Sequence, residues 1–391
     1  MVPTSRLFFP RAGLILALAL AVGGCSTVSG WFGGSAKPAA KPAELTEFKP
    51  KVALVRAWDA NVGSAGGYVF SPATDGQGVY AAAREGRLVR LDLATGKEVW
   101  RVDLGQVISA GVGAGDGLVL VGTPKGELLA YKAADGSPAW SARLSGELLV
   151  PPEVANGAVA ARSNDGKVFL LDAATGKLRW TTSRALPALT LRGQSHILLT
   201  DLGVYAGHAG GKLTALALNN GAPRWEANVA LPRGATELER IADVTGTLAM
   251  DDSRVCAGAY QGRVACFDRV SGNTAWVRDF STDGGVDMND RYVFAADEHD
   301  TVAAFDKNRG INTWRQDKLR DRKLSSPVAV ADNFVAVADY QGYVHLINAE
   351  DGAFAARVAT DGGAVVGAML GLKSGLVVQT ANGGVYALRI Q

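Results

Sequence analysis

Cysteine is almost absent from this 391-residue chain: three occur, at positions 25, 256 and 266, so neither a disulfide scaffold nor a four-cysteine zinc site can be built. The four histidines are scattered, and no His-x-x-x-His or Gly-x-Ser-x-Gly pattern occurs; no metal site, catalytic residue or cofactor is expected. An excess of one charge is also missing. Lys plus Arg is 40 against 38 Asp plus Glu, and removing a leader that holds Arg6 and Arg11 but no acid leaves 38 of each. Phosphate contacts need a concentrated basic face, so a nucleic-acid partner is excluded. The N-terminal apolar run, Ala12 to Val22, spans eleven residues, against roughly 20 for a bilayer-crossing helix. What is abundant is glycine, 48 residues, in a chain that is 48% hydrophobic, too apolar for disorder and long enough to bury one large core or several.

The start of the chain reads as a secretory leader over residues 1–24: basic Arg6 and Arg11, the uncharged run, then Val22-Gly23-Gly24-Cys25. That ending resembles a bacterial lipobox, in which the cysteine becomes the acylated N-terminus. The resemblance implies lipidation of Cys25, with Ser26 behind it directing the protein to the outer membrane. Residues 25–50 are rich in Gly, Ala, Pro, Ser and Lys without apolar periodicity and read as a lipidated cysteine on a flexible tether, which at about 3.3 Å per residue reaches at most roughly 80 Å. Trp31-Phe32 is its one aromatic pair.

From residue 51 onward one segment recurs. It runs from Gly86 to Trp100, Gly126 to Trp140, Gly166 to Trp180, Gly211 to Trp225, Gly262 to Trp276 and Asp300 to Trp314, then Gly342 to Ala356 with the tryptophan lost, and from Gly383 to the chain end. The final tryptophan position is found at the other end of the chain, where Trp58-Asp-Ala-Asn-Val62 matches Trp225-Glu-Ala-Asn-Val229. Spacings from Trp58 to position 356 are 42, 40, 40, 45, 51, 38 and 42 residues. Each unit holds four short strand-like stretches; in the second these are Val107 to Val112, Leu118 to Gly122, Glu127 to Tyr131 and Ala139 to Leu144, parted by Gly and Asp turns. Four strands in about 42 residues is a propeller blade. An all-β, eight-bladed propeller over residues 51–391 is therefore expected, closed by pairing the strand near Val52 to Val62 with the C-terminal one. Ala356 marks the seventh joint as the loosest.

The two longest spacings are consecutive, and their extra residues follow Trp180 and Trp225, between one blade's last strand and the next blade's first. Both loops should emerge side by side on one face. They hold Leu186, Leu189, Leu191 and Arg192, and Leu231, Arg233, Glu237, Glu239, Arg240 and Asp243: apolar residues around a guanidinium with carboxylates near, which suits a protein interface. Asp283-Gly-Gly-Val-Asp287-Met-Asn-Asp290 misses the EF-hand order and reads as a blade turn. Gly111 to Gly117 lacks the lysine of a P-loop and reads as another. For Cys256 and Cys266 two alternatives stand: with a glycine bulge at the turn they face each other and a disulfide forms, without it they point to opposite faces.

The Leu-Asp-x-x-Thr-Gly-x-x-x-Trp pattern, best preserved at 166–180, resembles the tryptophan-docking repeat of the quinoprotein (PQQ) propellers. One branch is the quinone-dependent dehydrogenases, but the adjacent cysteine pair of those resembling methanol dehydrogenase is absent. The other is the BamB family of outer-membrane lipoproteins, non-catalytic scaffolds of the BAM machine that folds β-barrel proteins. Leu189-Thr-Leu191-Arg192-Gly193-Gln-Ser195 is similar to that family's Leu-x-Leu-Arg-Gly-Glu-Ser, and Ala235-Thr-Glu-Leu-Glu-Arg240-Ile-Ala-Asp243-Val to its Ser-Thr-Glu-Ile-Asp-Arg-Leu-Ser-Asp-Val; Leu324-Ser-Ser-Pro-Val328 is a third match. The resemblance implies that Leu189, Leu191, Arg192 and Asp243, with Arg240 in the same loop, bind the periplasmic POTRA domains of BamA. It further implies a role in presenting unfolded outer-membrane proteins. The family's second acid, two residues after the Asp243 position, is replaced by Thr245.

Overall fold

Tryptophan sets the joints of the ring. In the computed structural model, which describes Met1, 41–193 and 195–391, the indole N–H of Trp58, Trp100, Trp140, Trp180, Trp225, Trp276 and Trp314 donates to a backbone carbonyl of the following blade, from Leu93 at 2.9 Å to Ala349 at 2.8 Å. Each ring lies on the glycine that ends the turn between that blade's third and fourth strands, a turn that reads Asp-x-x-Thr-Gly in blades one and three. Gly96 shows why no other residue serves: its φ is +70°, and a Cβ would sit 2.5 Å from the Trp58 ring. The Asp and Thr of the same turn are equally fixed, since Asp92 Oδ1 accepts both the N–H and the hydroxyl of Thr95.

Eight blades of four antiparallel strands result, all within the compact unit Pro42–Gln391, and the sheet of blade two gains a fifth, parallel strand from Val69–Phe70. Blade one is Ala73–Thr74, Gly78–Ala82, Arg87–Asp92 and Glu98–Asp103, and blades two to seven repeat the order inside to outside. Blade eight takes Leu370–Leu372, Gly375–Gln379 and Gly384–Ile390 from the C-terminus and its outer strand, Leu54–Asn61, from the N-terminal side, so the ring closes as expected. Second strands such as Gly78–Ala82 are buried throughout because a blade covers each face, whereas outer strands such as Glu98–Asp103 are half-buried or exposed. Aromatic and branched residues fill the joints; Tyr205, Trp225 and Phe267 pack together between blades four and five.

Three expectations shift. The inner strand of blade two is Ala110–Gly115 rather than Val107 to Val112; Ser109, just before it, donates its N–H to the Gly122 carbonyl of the paired strand and its hydroxyl to the Leu148 carbonyl at 2.7 Å, which ties the approach to the strand to the connection beyond blade two. Cys256 and Cys266 stand directly opposite on adjacent strands with no bulge between them, 4.1 Å apart at Cα and joined as a disulfide; directly paired residues share a face. The seventh joint is not open. Blade eight has no glycine turn for a tryptophan to lie on, since the chain ends meet there, and Val52 and Leu54 pack against Ala355 and Ala356 while Lys51 and Val52 donate to the Ala355 carbonyl.

The last part of the expected tether is also fastened. Along the outer strand of blade seven, Phe354–Ala359, Phe48 stacks on Phe354 at 5.2 Å with the Arg357 guanidinium 5.0 Å over its ring. Arg357 donates to the Thr46 carbonyl and Arg322 to that of Ala43. Arg322 is in turn held by buried Asp339 at 2.6 Å, and His345 bridges Asp339 and Arg357. Arg357 Nε–H donates to His345 Nδ1, so the imidazole proton sits on Nε2 and the ring is neutral; burial pushes its pKa below the usual value.

Candidate docking face

The eight connections between blades surround the mouth of the central channel and together line a cup of about 380 Å³. Of the eleven large hydrophobic residues exposed beyond Met1 among the described residues, seven lie on these connections: Val69, Val107, Leu186, Leu189, Leu231, Leu238 and Val366. One face is thus apolar at its rim, and the two long loops stand on it side by side. Ser195 bridges to Gly246 in parallel, and His196 N–H donates to the Gly246 carbonyl at 2.8 Å.

Asp243 locks the pair. Its side chain is buried, and its carboxylate accepts Leu191 N–H at 2.7 Å and Gly210 N–H at 3.0 Å. The carboxylate therefore shapes the Leu189–Gly193 segment and is turned away from the surface. Arg192 is the group presented outward, 71% exposed, with Nη2 3.2 Å from Glu147 and its guanidinium 6.0 Å from the Tyr68 ring centre. Leu189 is 47% exposed and Leu191 partly buried. Arg240 spends its donors within its own loop, on the Gly234 and Ala235 carbonyls and Glu237. Thr245 is buried and donates to the Asp283 carbonyl of the next connection at 2.9 Å, so this position is occupied in joining blades.

Glu147 and Tyr68 belong to connections of other blades and were not legible in any motif. Only the stacking of consecutive blades around a closed ring brings them to Arg192. Behind the loops lies Arg162, at the end of the strand Ala158–Arg162, 5% exposed. Its Nη1 donates to the Ser195 carbonyl and hydroxyl and to the Gly207 carbonyl. Burial, helped by this cation, pushes the pKa of His196 down to about 4 and of His208 down to about 3, so both rings are neutral.

The acidic stretch forms no site. Asp287 is turned into the ring, where it accepts Ala329 N–H at 2.7 Å, while Asn289 caps the turn that carries Asp290. Among the described residues no group of three or more His, Cys, Asp or Glu could hold a metal ion. Cys25 lies outside the described residues.

Fold and repeat define an eight-bladed propeller of the tryptophan-docked, PQQ-like class. A family model described as outer membrane protein assembly factor BamB matches residues 84–316 and 298–391, and the chain belongs to that family. The BamB of Nitrosomonas eutropha is 42% identical over 386 residues, 96% of this chain and 94% of its own. The crystal structure of BamB from Moraxella catarrhalis superposes with a TM-score of 0.79 at 28% identity, covering 86% of this chain and all of that one. Quinohemoprotein alcohol dehydrogenase from Comamonas testosteroni, at TM-score 0.68 and 15% identity, shares the fold alone.

Proposed function

We propose that this protein is a non-catalytic scaffold of outer-membrane β-barrel assembly, anchored by acyl groups on Cys25, facing the periplasm and docking onto the POTRA domains of BamA through the two long loops. The observation that carries the reading is the coupling of the loops by Asp243, which fixes Leu189 and Leu191 beside the outward Arg192 on an apolar rim. Exposed apolar groups around an outward-facing guanidinium are the composition that becomes an interface hot spot once a partner covers it. Family membership gives the process, and the loop sequences match the family where the loops meet.

A detergent pull-down of the full chain from its own envelope, with mass spectrometry and an absorbance scan of the bound fraction, tests this. BamA is expected in the wild-type fraction and absent with Arg192→Glu at unchanged thermal stability. Bound quinone without BamA would replace the scaffold by a dehydrogenase.

A further inference from the structure

Two arginines are deeply buried among the described residues, and their environments differ. Arg322, 3% exposed, has the carboxylate of Asp339 at 2.6 Å. Arg162, 5% exposed, has no ion-pair partner among the described residues: Nη1 is bonded to neutral oxygens, and Nε has no partner at all. Leaving a cation buried and unpaired is costly. The acids nearby are already committed, Asp243 to two backbone N–H groups and Glu147 to Arg192. Arg162 lines a cavity of about 200 Å³ between the two loops, walled also by Leu186, Leu191, Arg192 and Asp243.

We propose that this cavity is a carboxylate-binding pocket: a glutamate or aspartate side chain of the docked protein enters between the loops and pairs with Arg162, while Leu189 and Arg192 make the surrounding contact. The proposal rests on the docking reading and supplies the chemistry of its partner. An acidic anchor inserted into a pre-formed cationic pocket gives register as well as affinity, because a misplaced neutral side chain leaves the cation unpaired.

The test uses acetyl-glutamyl-methylamide as probe, titrated into the full chain in detergent and followed by the Arg162 Nε–Hε resonance, assigned by its loss in Arg162→Lys. A saturable shift with this probe and none with acetyl-glutaminyl-methylamide is expected. No shift, or equal shifts with both, overturns the pocket. In parallel, Arg162→Met is expected to weaken docking to the POTRA domains about thirtyfold or more, and replacing one acidic residue of the partner by its amide should weaken wild type but not Arg162→Met. If the probe shifts Arg162 while wild type fails to bind the POTRA domains, the pocket stands and the docking reading falls. If wild type docks and the probe is silent, the docking reading stands and the pocket falls.

Discussion

Across 52 residues of sequence, the carboxylate of Asp243 accepts the backbone N–H of Leu191 at 2.7 Å. A buried acid thereby sets the conformation of the segment that carries Arg192, and its own charge is kept from solvent. Asp243→Ala removes two charge-assisted hydrogen bonds and leaves two N–H groups without their acceptor, a loss of about 2–4 kcal/mol. The expected signature is local: in hydrogen exchange the Leu191 and Gly210 amides lose protection before the blade strands do, and docking weakens even though no partner contact has been removed. Unchanged protection at Leu191 would mean the loop holds itself.

The joints make opposite predictions for two substitutions. Trp140→Ala empties a slot between two blades and should cost about 3–5 kcal/mol, read by urea unfolding. Ala356→Trp restores the repeat pattern yet should destabilise by about 1–3 kcal/mol, because Val52 and Leu54 already fill that slot. Stabilisation by the new tryptophan would show the seventh joint to be underpacked.

The fold was legible in the repeat because seven of the eight joints demand the same two things of the sequence, a glycine with positive φ and an indole laid on it. The place of the two loops followed from spacing alone. What could not be read was which way a loop side chain turns. Asp243 and Arg192 are both charged residues in family-like motifs, yet one is a buried clip and the other an exposed contact, and only the packing of two blades decides it. Arg162 ends an apolar strand, Ala-Val-Ala-Ala-Arg, and nothing local marks it as unpaired; that depends on Asp243, in the wall of the same cavity, being bonded to the Leu191 and Gly210 N–H groups instead. Cys256 and Cys266 stand directly opposite without the bulge their pairing was expected to need, because the register of the two strands is set by how many residues the turn between them takes up, which the sequence does not print.

The bond between those cysteines closes a short loop, and by loop entropy should contribute about 2–3 kcal/mol. Intact mass of the protein purified without reductant is expected to rise by two hydrogens on reduction, and Cys256→Ser should lower the unfolding midpoint without altering docking, since both sulfurs lie in the interior.

Stability should depend on pH through two opposed sets of buried groups. Burial raises Glu153 to about 7 and Asp287 to about 6; the folded state holds protons that the unfolded chain has released, so stability grows as pH falls through these values. His196 and His208 are lowered to about 4 and 3; the unfolded chain takes protons first, and stability is lost as pH drops below about 6.5. The two slopes offset each other. Glu153→Gln removes one rising arm: the variant should be about 3 kcal/mol more stable than wild type near pH 8, the gap closing toward about pH 4.5, where denaturant titrations of the two should coincide. A gap independent of pH would show that Glu153 is ionised in the fold as it is in water.

Fastening the N-terminal segment along blade seven has a mechanical consequence. A pull applied upstream of Pro42 does not reach the strand Leu54–Asn61 first. It must peel Ala43, Thr46 and Phe48 from Arg322, Arg357 and Phe354, contacts that yield one at a time, before tension meets the closing strand and its register with Gly384–Ile390. The strap works as a strain relief at the cable end of the molecule, so that a tug from the N-terminal side is absorbed outside the ring and the seam where the propeller closes stays shut.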